Sequence, residues 1–275
     1  MIEKIIQIAD LHIPNSEKDK PYGEMLKRCL SEILLEIKDC DKKNIRIILC
    51  GDIFHNKIRI SNEALQTFHE LLNFLNSFGK TLIFAGNHDM LENNFDRTDS
   101  ITPTFEIKGA YKNITYLDKA LKYKSGYVVD DGVIWVLYSM FDRFAKPSMD
   151  GLKEKYPDHK IIGLYHGDIV GAVTDTGYMS ENGIDTKKFI GCDCVMAGHI
   201  HKFQELRKDG VPIVYGGSLF QCNSGENITG HGFTIWDAQT LNYEHHNVEN
   251  DYRILKFTID DYSDIENDIE CLVNL

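Results

Sequence analysis

Seven residues with metal-ligating side chains fall in five short clusters: Asp10 with His12, Asp52, Asn87, His166, and His199 with His201. Each cluster directly follows an apolar run of strand length. In extended backbone residues i and i+2 point the same way, so Asp10/His12 and His199/His201 can each aim two donors at one point. In open sheets with parallel strands, ligands gather beyond the carboxyl ends of the strands, and all five clusters fall there. Taken singly, each has an ordinary explanation. Asp-x-His and Gly51-Asp52 are usually turns, His166 a hydrogen-bonded structural histidine, and His199-Ile200-His201 a strand edge. Gly86-Asn87-His88-Asp89 is rarer, because four polar or flexible residues directly follow an apolar strand. The recurrence of all five at strand ends points to one metal site.

Two Asp, one Asn and four His exceed what a single four-coordinate ion uses and suit two adjacent ions. Paired ions commonly share a carboxylate, and Asp52 lies centrally in the set. Mixed imidazole and carboxylate donors favour Mn²⁺, Fe or Zn²⁺ over Mg²⁺ and Ca²⁺, which prefer oxygen shells. Such a pair activates a water and neutralises phosphoryl oxygens during in-line attack. The sequence has neither a Walker P-loop nor a GxGxxG element, so nucleotide-triphosphate and dinucleotide binding have no support in it.

The elements that must position these groups are legible in the hydrophobic pattern. Residues 2–9 form a short buried strand, and Tyr22, Met25, Leu26, Cys29, Leu30, Ile33, Leu34 and Ile37 recur at helical spacing. Ile45–Cys50 is a strand-length run. A second helix begins at the N-cap Ser61, carries Leu65, Phe68, Leu72 and Leu75, and stops at Gly79. Strand Thr81–Ala85 completes a β-α-β-α-β order, which implies parallel strands with right-handed crossovers. Later strands are predicted at Lys160–Tyr165 and Cys194–Ala197. Three hairpins are expected, pairing Tyr127–Val129 with Val133–Tyr138, Phe203–Arg207 with Val211–Tyr215, and Phe233–Trp236 with Leu241–His246. An α/β first third followed by a strand-rich remainder fits a two-sheet sandwich with helices outside. A strand at Ile254–Ile259 and an acidic, helical tail are expected to close the chain.

The 275 residues are 43% hydrophobic, which excludes an intrinsically disordered chain. Their length suits one large α/β domain or one domain plus a fragment of a second. The formal charge is −12, from 30 Lys and Arg against 42 Asp and Glu. That balance argues against coating nucleic acid through bulk charge, which needs basic residues to displace counterions. It leaves a local site open. Residues 249–275 hold two basic and eight acidic residues and so carry half of the net charge. Seven scattered cysteines without a CxxC pair suit reduced thiols. No apolar run spans a membrane.

The ordered set resembles the calcineurin-like binuclear metallophosphoesterases: DxH at Asp10 and His12, GD at Gly51 and Asp52, GNHD at Gly86 to Asp89, a lone His166, and GHxH at Gly198 to His201. The resemblance covers about residues 1–240. It implies an α/β fold, a four-layer αββα sandwich of two mixed β-sheets flanked by helices. It also implies Asp10, His12, Asp52 and His201 on one ion, and Asp52, Asn87, His166 and His199 on the other. His88 would be the acid or electrostatic partner of the substrate. Gly51-Asp52-Ile53-Phe54-His55 before a long helix, with Tyr215-Gly216-Gly217-Ser218, Gly225-Glu226 and His231-Gly232-Phe233, is similar to the SbcD-type nucleases of double-strand-break repair and meiotic recombination. The GDxVDRG signature of the protein phosphatases is absent. By this likeness His55 would help place the scissile phosphate or His88, the plainer alternative being a hydrogen bond within its own loop.

The expectation is a nuclease domain over residues 1–248 followed by an acidic segment, 249–275, that could begin a truncated capping domain. Its function would be metal-dependent phosphodiester hydrolysis, as a DNA exonuclease or endonuclease of repair or recombination. A hydroxide activated by two metals would attack, with His88 as acid or transition-state stabiliser. Two divalent ions, Mn²⁺ foremost, are the expected cofactors. DNA is the expected substrate, with Lys57, Arg59 and Lys202 as candidate phosphate contacts. An SbcC-type coiled-coil ATPase and a second copy of the chain are the candidate partners, and no membrane is. A reducing compartment is expected: the cytoplasm, the nucleus or a virus-infected host cell. Two alternatives stay open: a phosphodiesterase or phosphatase for small molecules such as cyclic or bis-nucleotides, and a docking module without catalysis. The last is disfavoured because every ligand position is filled.

Overall fold

Apolar side chains alternate along the strands between two faces, and that alternation sets three buried layers. The computed structural model describes residues 1–16, 21–107, 109–142 and 145–256. Its first half contains β1 (Lys4–Ile8), α1 (Tyr22–Glu36), β2 (Ile45–Cys50), α2 (Asn62–Phe78), β3 (Lys80–Phe84) and β4 (Ile114–Tyr116). There follow α3 (Leu117–Ala120), β5 (Gly126–Asp130), β6 (Val133–Tyr138), α4 (Leu152–Lys155), β7 (Lys160–His166) and β8 (Cys194–Gly198). The described chain closes with β9 (Gln204–Lys208), β10 (Val211–Tyr215), β11 (Gly232–Asp237) and β12 (Tyr243–Asn247).

These strands make two mixed sheets of six, ordered β12-β11-β1-β2-β3-β4 and β5-β6-β7-β8-β10-β9. Strands β1 to β4 run parallel, as do β6, β7, β8 and β10. The inner faces supply the central layer, where Ile5, Ile48 and Phe84 pack with Trp135, Leu164 and Met196. On the outer face of the first sheet, Ile6, Ile47 and Ile83 meet Met25 of α1 and Phe68 of α2. Burying such side chains contributes roughly 1.5–3 kcal/mol each, and strands buried on both faces read as the continuous apolar runs seen in the sequence. Ser61 caps α2 as expected, its side chain accepting a hydrogen bond from Ala64 N at 3.0 Å.

The four layers are present, but the two outer ones differ. Over the second sheet the cover is the four-residue α4 and the connection between β7 and β8, through Leu152, Ile169 and Phe189, packed on Ile134, Val136 and Val195. The predicted hairpins form as β5/β6, β9/β10 and β11/β12. The last one joins the first sheet, with β11 antiparallel to β1. Residues 254–256 are not in a strand, which corrects the expected start of a strand at Ile254, and the remainder of that strand and the acidic tail lie outside the described residues. Ile254 instead exchanges backbone bonds with the Gln221 side chain (2.8 and 3.0 Å), a local partner that serves in place of a ladder.

Two polar links tie the sheets together. Buried Gln7 of β1 donates through Nε2 to the carbonyls of Ala197 and Val214 (3.1 and 3.0 Å) and accepts from Trp236 Nε1 (3.0 Å). Every hydrogen-bonding atom of its amide is thereby used, which is what makes an amide tolerable in this layer. Away from the carboxyl ends of the strands, the buried Arg46 guanidinium pairs with Asp130 of β5, and Lys80 Nζ lies 2.8 Å from the same carboxylate. Among the described residues no helix is long and apolar enough to cross a membrane.

Candidate metal centre

Five strands end at one place. β1, β2 and β3 of the first sheet and β7 and β8 of the second direct their carboxyl ends into a single cluster that carries all seven predicted donors. Past the strand ends the first two loops run side by side: His12 N donates to Asp52 O (2.9 Å), Ile13 N to Ile53 O (2.9 Å) and His55 N to Ile13 O (3.1 Å). This short parallel extension holds the DxH and GD segments in register.

Asp52 lies between two groups of donors. Its Oδ2 is 3.5 Å from His12 Nε2 and its Oδ1 is 3.3 Å from His166 Nε2. On the first side His12 Nε2 faces His201 Nε2 at 3.0 Å. On the second side Asn87 Oδ1 is 3.1 Å from His166 Nε2 and 2.8 Å from His199 Nδ1. Asp10 is fully buried and receives the His199 backbone N–H on both oxygens, at 2.9 and 3.0 Å. His166 Nδ1 lies 2.8 Å from the Cys50 carbonyl, which can only accept. That Nδ1 therefore carries a proton, so Nε2 is the nitrogen that faces Asp52 and Asn87 and that becomes a lone-pair donor once a metal displaces its own proton.

The donor chemistry fits two divalent ions. Nitrogen and oxygen donor atoms of His12, His201, Asp52, Asn87, His166 and His199 each lie within 3.5 Å of a neighbouring donor, and His12 Nδ1 is a buried polar atom with no partner among the described residues. Asp52 groups with His166 and His199 on one side and with His12 on the other, where the His88 ring also comes within reach, so Asp52 is common to both sides. Burial alone would raise the Asp52 carboxyl, but His166 and His12 hold it well below its ordinary range, so it is an anion at neutral pH. Burial depresses the His12 imidazolium strongly, which favours the neutral, ligating form. For Asp10 burial outweighs the nearby His166 and His201 and raises the carboxyl.

Backbone strain and close approach accompany this convergence. Asp10, His12, Asp52 and His199 all adopt positive φ (50°, 47°, 50° and 100°), a region that costs non-glycine residues of order 1–3 kcal/mol each. Gly51 also has positive φ (82°), and a β-carbon there would collide with the His166 ring. A β-carbon on Gly86 would overlap the Asp52 carboxylate.

His88 stands over the first side, its ring 4.7 Å from that of His12. Its backbone N–H donates to Asp52 Oδ1 (2.7 Å), and its Nδ1–H donates to the His55 carbonyl (2.7 Å). The exposed His55 thus holds His88 through its main chain, while its own ring lies 5.6 Å from His12. Lys202 lines a cleft of about 450 Å³ that opens from His199 and His201 between Thr174, Tyr178 and Glu226. Lys57 is engaged with Glu92 at 3.1 Å, and Arg59 lies exposed with its carbonyl accepting from Asn15.

Four carboxylates were given no role by the sequence reading. Glu226 accepts from His201 Nδ1 (2.7 Å), and Asp168 lies 3.6 Å from His199 Nε2, so each orients a ligand from behind. Asp89 receives the backbone N–H groups of Ile53, Phe54 and Gly86, joining the GD loop to the GNHD loop. Asp118 receives Ala85 N (2.8 Å) and Ser139 Oγ (2.5 Å) just beneath that loop. Gly225-Glu226 and the last residue of GNHD were visible as motif letters, whereas Asp118 carries no local signal.

Burial raises the Asp118 carboxyl from its ordinary 3.8 to about 6 against the two hydrogen bonds it accepts. The folded chain then keeps a proton that the unfolded chain releases. Unfolding free energy is expected to fall by roughly 3 kcal/mol as pH rises from about 4 to about 6, and Asp118→Asn should flatten that slope in urea titrations across this window. An unchanged slope in the variant would place the titration elsewhere.

Two stacked mixed sheets with paired nitrogen- and oxygen-donor sites at their strand ends define a binuclear metallohydrolase architecture. The family model described as calcineurin-like phosphoesterase matches residues 3–203, and the chain belongs to that family, whose members hydrolyse phosphoesters with bound metal. An uncharacterised protein of Acanthamoeba polyphaga mimivirus is 31% identical over 272 residues, 98% of this chain. The chain spans 20% of that relative's length. The crystal structure of TT1561 from Thermus thermophilus superposes with a TM-score of 0.50 over 90% of this chain and 100% of its own, at 9% identity, a likeness of fold alone.

Proposed function

We propose that this chain is a Mn²⁺-dependent DNA phosphodiesterase of the SbcD type, acting as an exonuclease or endonuclease. The observation that carries this reading is the shared carboxylate Asp52 set between two donor groups, beside a cleft of about 450 Å³. That volume holds a nucleotide rather than a bare phosphate. Two divalent ions, when bound, would supply a water that ionises near neutral pH and positive charge against the phosphoryl oxygens.

The chain's own residues do the rest. Asp10, His12, Asp52 and His201 would hold one ion, and Asp52, Asn87, His166 and His199 the other. His88 presents Nε2 to the substrate, because its Nδ1–H is committed to the His55 carbonyl. A proton held on that Nε2 stabilises the developing charge or passes to the leaving oxygen. Lys202, on the cleft wall, attracts the phosphate of a flanking nucleotide.

The test compares labelled linear duplex DNA with cyclic and bis-nucleotides in the presence of Mn²⁺. DNA should be cut, and chelation should stop it. Turnover of the small nucleotides alone would replace this reading by that of a small-molecule phosphodiesterase.

A further inference from the structure

Cys222 is not among the residues that the family pattern places at the metals. It follows β10 in the loop that also carries Glu226, and it forms no disulfide among the described residues. A ring nitrogen of His12, a ring nitrogen of His201 and the Cys222 sulfur all lie within 4.8 Å of one another. The loop is tied down at this point. Cys222 N donates to Glu226 Oε2 (2.8 Å), while Glu226 Oε1 accepts from His201 Nδ1 (2.7 Å). The thiol also lies within hydrogen-bonding reach of the His201 ring. Its sulfur donates to the Phe220 carbonyl at 3.3 Å, and a thiol is a weak donor whose bond a metal ion readily displaces. An independent observation points to a cation here: the buried His12 Nε2 meets the His201 Nε2 at 3.0 Å and lies 3.5 Å from Asp52 Oδ2.

We propose that Cys222 is a thiolate ligand of the ion held by His12 and His201, so that this position selects a thiophilic divalent ion while the Asn87/His166/His199 position stays a nitrogen–oxygen site. The inference rests on the two-metal reading of the centre and adds one sulfur to it. Binding replaces the thiol proton by the metal, and that proton leaves to solvent. Sulfur donors favour Zn²⁺ and Co²⁺ over Mn²⁺. The two positions therefore differ in metal preference, although they share Asp52.

Titration of the metal-free full chain with Co²⁺ tests this, because thiolate-to-cobalt charge transfer absorbs in the near ultraviolet and imidazole or carboxylate ligation does not. The wild type should show this band, Cys222→Ser should lose it, and Cys40→Ser should keep it. Zn²⁺ should erase the band in competition, and Mn²⁺ at equal concentration should not. A second readout needs no variant. Metal loading should protect Cys222, and not Cys40, from iodoacetamide, as followed by peptide mass spectrometry. Two equivalents of bound Co²⁺ without the band, or a band that survives Cys222→Ser, would overturn the thiolate ligand and leave the two-metal reading intact. A wild type that binds no Co²⁺ would overturn both.

Discussion

Replacing His88 by alanine is expected to lower kcat for phosphodiester cleavage by about 10²–10⁴-fold, the range for loss of a positioned proton donor. Bound metal should stay at the wild-type level. The reason is geometric. The contact between this residue and the centre is made by its backbone N–H, 2.7 Å from Asp52 Oδ1, and alanine keeps it. Only the imidazole is lost, along with its bond to the His55 carbonyl. Because that acceptor is main chain, His55→Ala should retain it and lose far less activity than His88→Ala. Initial rates together with elemental analysis of each variant check the pair. Equal activity of wild type and His88→Ala would remove His88 from the chemistry.

Asp52→Asn is expected to be more damaging, through a different quantity. The amide keeps the shape and can still accept the His88 N–H through its carbonyl, so the change reports the charge. With the shared anion gone, metal affinity should fall by more than the about 10–100-fold typical of residues that merely orient a ligand, and bound metal from two equivalents to one or none. A second signature needs no metal. The His166 imidazolium, which burial would depress, is raised to about 9 chiefly by Asp52. In Asp52→Asn it should titrate well below that, as followed by proton NMR of the metal-free chain. Two tightly bound ions in this variant would show that Asp52 bridges nothing.

Much of this arrangement was legible in the sequence, for a physical reason. β1, β2 and β3 are buried on both faces and read as near-continuous apolar runs, interrupted only by Gln7, Arg46 and Thr81 beyond their first residues, so the polar cluster that ends each run stands out. β4 is three residues long, within Asn113-Ile114-Thr115-Tyr116, too short to carry a period. The antiparallel placement of β11 beside β1 is a tertiary choice that the local pattern of a hairpin cannot encode. The same distinction separates the side chains. Ligands at i and i+2 announce themselves by spacing, whereas Glu226 and Asp168 acquire their roles only when the chain folds back onto His201 and His199. Cys222, between Gln221 and Asn223, carries no local signal until the loop after β10 sets it beside two histidines.

The four left-handed residues at the strand ends have a consequence for how such a chain can change. Asp10, His12, Asp52 and His199 are held in a conformation that glycine adopts freely and they do not. Four of the nine non-glycine residues with positive φ in the described chain thus lie at the candidate metal centre, the other five in turns and strand connections. A descendant released from metal chemistry would gain stability by relaxing these positions first, with glycine or asparagine as the natural replacements. Retention of Asp and His at all four marks a chain in which function still outweighs the comfort of the backbone.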